Sequence, residues 1–160
     1  MTKLKGGIRA VLSMLLICSC FSCNKNVVYK DLHVFDGEVW SDSDTAVFNY
    51  FAEDTIGWYN VILNLRTSKN YGFSNLWIYF IIETPNSNRS VVAHQIPVAL
   101  PDGSWIGKEK GNKVESQLKL SAFQFPEKGN YTFKIIQSTQ EAEIPNVNSI
   151  IFSIFQSDGK

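Results

Sequence analysis

The sequence predicts an all-β protein: an antiparallel β-sandwich of about eight strands, with a jelly roll among the arrangements that it allows. In several short segments apolar residues recur at every second position, and clusters of turn-forming residues separate these segments. The chain has 160 residues, of which 13% are aromatic, so one compact domain can bury a core. Alternating strands with turns between them favour a sandwich over an α/β fold.

The N-terminal segment, residues 1–22, is predicted to be a lipoprotein signal peptide. Its basic residues are Lys3, Lys5 and Arg9. The run Ile8–Ile17 is almost wholly apolar and too short to span a bilayer. The chain's three cysteines follow directly and are Cys18, Cys20 and Cys23. Because no later cysteine could form a disulfide with them, acylation at a lipoprotein cleavage site explains the cluster better, at Cys20 or Cys23.

The first two strands are predicted near residues 33–40 and 46–51, after a polar lead-out. Ala46, Phe48 and Tyr50 alternate with Val47, Asn49 and Phe51, and residues 53–57 interrupt the pattern before the next strand.

Residues 58–83 are predicted to form the central antiparallel strand pair. On the first strand one parity is apolar and consists of Tyr59, Val61, Leu63 and Leu65. The other parity carries Asn60, Asn64 and Arg66. The second run, Leu76–Ile82, is apolar on both parities, which predicts a strand covered on both sides. The polar turn Thr67–Asn75 would join the two as neighbours.

The rest of the chain predicts four more strands and one long loop. The strands cover Ser90–Val98, Val114–Phe125, Tyr131–Ile135 and Ile150–Ile154. Between the first two lies the loop Leu100–Gly111, which is rich in glycine and contains Pro101. The apolar parity changes near Ala122, which predicts a β-bulge there.

The sequence predicts no catalytic residue, no metal site and no cofactor. It has only two histidines, His33 and His94, and His94 lies on the apolar parity of its strand, as a core histidine would. HExxH and G-x-S-x-G patterns are missing from the sequence, and no later cysteine could complete a metal site with the cluster at residues 18–23. The formal net charge of zero also argues against a nucleic-acid partner.

The candidate binding surface combines the polar row Asn60, Asn64 and Arg66 with the loop that contains Asp102, Trp105 and Lys108. Trp105 is either an exposed aromatic anchor for a partner or a side chain that folds back onto the sandwich edge, and the second interpretation is preferred. The turn that contains Tyr71 is a further candidate contact. A glycan-binding module is the alternative function, and it would need two or three coplanar aromatic rings on one exposed face.

Several short stretches resemble the GldH family, gliding-motility lipoproteins of Bacteroidetes. These stretches, in chain order, are Asn60 with Leu63–Arg66, Asn70–Tyr71, Ser74–Trp77, Pro101–Gly103, Trp105–Lys108, and Phe125–Pro126 with Gly129 and Tyr131. The resemblance extends over roughly residues 23–155. Ser22–Asn26 also resembles the start of mature family members, which selects Cys23 as the acylated residue. One departure follows Gln137, where Ser138–Gln140 replaces the family's Met-Arg pair and puts any role of that arginine in doubt.

The resemblance implies a non-enzymatic, lipid-anchored envelope protein of the gliding machinery, which is linked to type IX secretion. The implied organisation is a signal peptide at 1–22, a tether at 23–32 from lipidated Cys23, and a β-sandwich at 33–160. The implied partners are other envelope or gliding-machinery proteins, together with the membrane through the lipid. No acidic export tag follows Cys23, so we expect a periplasm-facing domain, on the inner leaflet of the outer membrane rather than on the cytoplasmic membrane. Because non-gliding members exist, the resemblance does not imply that the source organism glides.

Overall fold

A computed structural model describes residues 27–157, except for the side chain of Ser121. The predicted signal peptide at 1–22 and the predicted acylation site Cys23 lie outside these residues. Across the described part of the chain, no helix has both the length and the apolar character needed to cross a membrane.

Residues 27–157 form eleven strands and one short 3₁₀ helix, Asp36–Glu38. The strands are β1 (Val27–Val34), β2 (Val39–Ser41), β3 (Ala46–Ala52), β4 (Trp58–Ser68), β5 (Asn75–Glu83), β6 (Arg89–Pro97), β7 (Lys108–Lys110), β8 (Lys113–Phe123), β9 (Gly129–Gln137), β10 (Glu143–Pro145) and β11 (Val147–Ser157).

The strands build a sandwich of two antiparallel sheets. One sheet has five strands in the order β1-β11-β4-β8-β7, the other has four in the order β3-β9-β5-β6, and β2 pairs separately with β10. The eight strands of seven or more residues follow the pairing order of a jelly roll. The predicted antiparallel all-β sandwich is therefore confirmed, with eleven strands where about eight were predicted.

The predicted central strand pair is wrong, because β4 and β5 lie in different sheets. β4 pairs with β11 and β8, whereas β5 pairs with β9 and β6. Tyr71, in the segment that joins β4 and β5, is only 5% exposed. The connection therefore buries a side chain in the sandwich rather than closing a hairpin.

The face pattern of β4 is as predicted, but that of β5 is not. Tyr59, Val61, Leu63 and Leu65 are all 3% exposed or less. On β5, Leu76, Ile78 and Phe80 are buried, but Trp77 and Tyr79 are 45% and 44% exposed on the outer face. The prediction of a strand covered on both sides is wrong, because Trp77 and Tyr79 leave part of that outer face open to solvent, and only Ile81 on it is buried.

Three other predictions concern a β-bulge and the bounds of strands. The bulge near Ala122 is confirmed, because Tyr59 pairs with Phe123 while Val61 pairs with Leu120. The long loop 100–111 instead contains strand β7. The first strand begins at Val27, within the segment 23–32 predicted as a tether, and it pairs with β11 as far as Val34.

Aromatic side chains from both sheets meet at Phe152, on the inner face of β11. Its ring centroid lies 5.0 Å from that of Phe48, 4.8 Å from Phe133 and 5.9 Å from Tyr29. Such pairs add about 0.5–1.5 kcal/mol each beyond their area burial. This cluster joins the two sheets and holds their outer faces in fixed positions.

Candidate functional site

Asn60, Asn64 and Arg66 share the outer face of β4, as their parity predicts. Arg66 Nε donates a hydrogen bond to Glu115 Oε2 on β8, at 2.8 Å. On the same pair of strands, Gln117 Nε2 donates to Asn64 Oδ1, at 3.1 Å. The polar row of β4 is therefore bound to the neighbouring strand and presents ordered side chains to solvent.

A cleft on this face gathers cationic side chains around one carboxylate. Its volume is about 260 Å³. It is lined by Arg66, Lys108, Lys110, Lys113, Glu115 and Asn148, and is called here the cationic cleft. Lys113 Nζ lies 3.7 Å from Glu38 Oε1, and Arg66 pairs with Glu115. Within residues 27–157, Lys108 and Lys110 form no ion pair, so the cleft retains positive charge that an anionic group could neutralise.

The loop before β7 positions Lys108 in the cationic cleft. The Ile106 backbone N–H donates to the Val98 carbonyl at 2.9 Å, which fixes the end of the loop against β6. A Cβ on Gly107 would overlap the Glu115 carbonyl group, so only glycine allows this close approach. Lys108 then lies opposite Glu115 in the backbone pairing of β7 with β8.

Asp102 and Trp105 lie apart from the cationic cleft. Asp102 Oδ1 accepts hydrogen bonds from the Ser104 hydroxyl at 2.6 Å and the Ser104 backbone N–H at 2.9 Å. The Ser104 hydroxyl, followed by the Ser104 N–H, lowers the pKa of Asp102. Trp105 is half-buried and packs against the core, in agreement with the preferred interpretation. Asp102 therefore shapes its turn, and Trp105 anchors the loop.

The remaining predicted residues, Asn60 and Tyr71, are also outside the cationic cleft. Asn60 lies on the same face of β4 as Arg66, and its backbone is opposite that of Phe155 on β11. Tyr71 is buried, and its hydroxyl donates to the Asn75 carbonyl at 3.1 Å. Burial raises the pKa of Tyr71. Of the seven surface candidates, the structure brings together Asn64, Arg66 and Lys108, since Lys108 lines the cationic cleft with Arg66 and an adjacent depression with Asn64.

A second concave site lies at the start of β5. It has a volume of about 430 Å³. It is lined by Tyr71, Phe73, Asn75, Trp77, Ser138, Thr139, Gln140, Glu141 and Ile144, and is called here the aromatic groove. The Tyr71 and Phe73 ring centroids are 5.6 Å apart at an interplanar angle of 63°. These two rings do not provide the coplanar platform that the glycan interpretation required.

Sequence reasoning missed several residues of both sites. Lys110, Lys113 and Glu115 were not singled out, although the alternating charges of Lys108–Glu115 are visible in the sequence. In the sequence, Ser138–Gln140 stands out only as a departure from the family pattern. Nothing in its sequence places this segment beside Trp77, because the two meet only through the pairing of β5 with β9.

In the described part of the chain, no three His, Cys, Asp or Glu side chains lie close enough together to hold a metal ion.

Comparison with known proteins gives one family and two curated relatives. Residues 27–154 match the family described as GldH lipoprotein. The protein named "Gliding motility lipoprotein GldH" from Flavobacterium johnsoniae is 32% identical over 131 residues, which cover 81% of each chain. The "Gliding motility lipoprotein GldH homolog" from Christiangramia forsetii is 25% identical over 145 residues, 86% of this chain and 88% of that one.

Among the solved structures that are similar is one described as Xyl-CBM35 in complex with a disaccharide that contains glucuronic acid. It aligns with a TM-score of 0.39 and 14% identity, over 84% of this chain and 88% of that chain. A similarity this low carries no argument about function.

Proposed function

Because this chain belongs to the GldH lipoprotein family, we propose that it is a lipid-anchored, non-enzymatic gliding-motility lipoprotein that acts through contacts with other envelope proteins. The family match over residues 27–154 is the observation that carries the proposal. The names of both curated relatives describe gliding-motility lipoproteins. A role in the machinery linked to type IX secretion is part of the same proposal and follows from the family resemblance.

The anchor in this proposal is an acylated Cys23. Three residues lie between Cys23 and Val27, where β1 begins, so the two are four residue steps apart along the chain. Since an extended chain spans at most about 3.6 Å per residue, the sandwich would lie within roughly 14 Å of the bilayer surface. Several acyl chains on one cysteine would give a lasting anchor. We propose the periplasmic side of the outer membrane as its location, which restricts partners to proteins near that surface.

The proposed contact surface is the cationic cleft with the adjoining Asn64. Lys108 and Lys110 are exposed and, among residues 27–157, have no ion-pair partner, so an acidic partner can approach them without breaking an existing pair. Arg66 is held in place by Glu115, so its guanidinium is pre-organised for a further contact. Charge complementarity of this kind accelerates association and selects among partners. The surface therefore fits a partner with a carboxylate-rich patch.

The test is affinity purification of the tagged full-length lipoprotein from envelope extract of its own bacterium. We expect the Arg66→Gln/Lys108→Gln double variant to recover co-purifying envelope proteins at least about fivefold less well, as when contacts worth more than 1 kcal/mol are removed. We expect secretion of type IX cargo, and gliding where the bacterium glides, to fall in parallel.

Lys128→Gln is the matched control, because Lys128 is an exposed lysine that pairs with Glu53, away from the cationic cleft. Equal recovery by the double variant and this control, with normal secretion, would exclude the cleft as the contact surface. Recovery of no envelope protein by the wild type would reject the protein-contact mechanism.

A further inference from the structure

One wall of the aromatic groove is a loop held in shape by a buried amide. Gln137, at the end of β9, is 4% exposed. Its Oε1 accepts hydrogen bonds from the Thr139 backbone N–H and hydroxyl, both at 2.8 Å. Its Nε2 donates to the Glu141 carbonyl at 2.7 Å. Because the buried Gln137 amide forms hydrogen bonds with the Thr139 backbone N–H and the Glu141 backbone carbonyl, this wall is pre-formed rather than mobile.

The opposite wall consists of aromatic side chains held at different angles. The Tyr71 hydroxyl is bonded to the Asn75 carbonyl, which fixes its ring at the base of the groove. The Phe73 ring stands at 63° to it and is 46% exposed. Trp77 projects from the outer face of β5 and is 45% exposed. Rings inclined to one another surround a ligand, whereas coplanar rings would offer it a flat platform.

The charge of the groove selects among ligands. Glu141 is the only charged residue among the residues that line it. Its carboxylate forms no ion pair with any residue in the range 27–157. Aromatic faces carry negative quadrupole density and attract cations within about 6 Å of the ring centroid. Aromatic walls together with an acidic lining residue that has no ion pair therefore complement a cationic group.

The surroundings of the groove indicate that the cation belongs to a polypeptide. The volume of about 430 Å³ exceeds what one side chain fills. Beyond Trp77, the outer face of the four-stranded sheet continues through Tyr79, Ile81 and Val91, of which Tyr79 and Val91 are 44% and 49% exposed. Contiguous exposed apolar side chains next to a groove mark an interface with another protein. A guanidinium is planar, stacks on aromatic rings and pairs with carboxylates.

We propose that the aromatic groove binds an arginine side chain of a partner polypeptide, stacked on Trp77 and paired with Glu141, while the exposed face beyond Trp77 contacts the residues around that arginine. This surface shares no residue with the cationic cleft, so it is a second contact site and is tested separately.

Saturation-transfer NMR with the full-length lipoprotein in nonionic detergent tests the proposal. The probes are the peptide Ser-Trp-Arg-Val-Ser, capped at both ends, and the same peptide with citrulline, the uncharged isostere, in place of arginine. We expect millimolar binding of the arginine peptide, with saturation concentrated on its arginine methylenes. We expect the citrulline peptide to bind at least about fivefold more weakly.

Two variants locate the site. Trp77→Leu and Glu141→Gln each change an exposed side chain, so the fold should survive, which circular dichroism checks. Each should weaken binding of the arginine peptide about two- to fivefold, the effect of losing an exposed cation–π contact or ion pair. Lys128→Gln is the matched control, because it also removes one exposed charge but lies outside both sites, and it should bind the peptide as the wild type does.

Three results would overturn the proposal. The first is equal binding of the two peptides, and the second is no saturation transfer at 20 mM peptide. The third is stronger saturation transfer to maltotriose, cellotriose or xylotriose than to the arginine peptide. If Trp77→Leu abolished that transfer, the groove would be a glycan site instead.

Discussion

At the scale of single residues, Gly107 determines whether the loop before β7 can pack against β8. The position has no special backbone angle, and its requirement is space, since a Cβ would meet the Glu115 carbonyl and the Ser116 hydroxyl. Glu115 also binds Arg66, so an intrusion at Gly107 would disturb the cationic cleft as well as the fold.

We predict that Gly107→Ala destabilises the protein by about 1–3 kcal/mol, the usual cost of inserting a group into a packed site. Urea unfolding measures the change. Gly72→Ala is the matched control, because a Cβ there would meet nothing within 4 Å, and it should alter stability by no more than about 0.5 kcal/mol. Equal effects of the two substitutions would contradict the steric explanation.

Tyr59 and Asp54 form a titrating pair at the start of β4. The Tyr59 hydroxyl donates to Asp54 Oδ2 at 3.2 Å. Burial, followed by the charge of Asp54, raises the pKa of Tyr59 to about 12. The backbone N–H groups of Ile56 and Gly57 lower the pKa of Asp54, so this carboxylate is ionised whenever Tyr59 titrates. Folding therefore favours the neutral form of Tyr59.

The stability that depends on neutral Tyr59 is present below pH 10, the ordinary tyrosine pKa, and is lost as pH rises from 10 through about 12. Above pH 10 the unfolded chain gives up this proton and the folded chain keeps it, so higher pH favours unfolding. We predict that Tyr59→Phe loses less stability than the wild type between pH 8 and pH 11, measured by urea unfolding. Parallel losses in the two proteins would contradict the coupling.

At the scale of elements, β1 is an integral strand of the five-stranded sheet. It pairs antiparallel with β11, and Tyr29 inserts between the sheets, with its ring 5.6 Å from that of Tyr50. β11 is buried on both faces, with Ile151 of the outer face only 5% exposed and paired with Leu32. Without β1, this buried strand would become an unprotected sheet edge.

We predict that a chain starting at Asn24 unfolds cooperatively, whereas one starting at His33 aggregates or unfolds at a much lower urea concentration. The shorter chain loses most of β1 and the core contacts of Tyr29. Size-exclusion chromatography and urea unfolding compare the two. The same unfolding midpoint for both chains would show that residues 24–32 are a tether, as the sequence analysis predicted.

At the scale of the whole molecule, the jelly roll assembles each candidate site from distant parts of the chain. The cationic cleft joins Arg66 of β4 with Lys113 of β8 and Asn148 of β11. The aromatic groove joins the segment after β4 with the loop after β9. Consecutive long strands pass repeatedly from one sheet to the other. The two sites lie on different strands and share no residue.

The sequence by itself determined most of the long strands, the buried parity of β4, the bulge near Ala122 and the family. Alternation of side chains is a local property of an extended chain, so Leu63 and Leu65 are predicted inward and Arg66 outward without knowledge of any neighbour. Only the tertiary structure decided which strands pair and which faces stay open. Each strand has two edges with equivalent hydrogen-bonding groups, so the adjacency of β4 to β11 and β8 rather than to β5 depends on how the whole chain packs. For the same reason an apolar run cannot show that the outer face of β5 leaves Trp77 exposed beside the loop after β9.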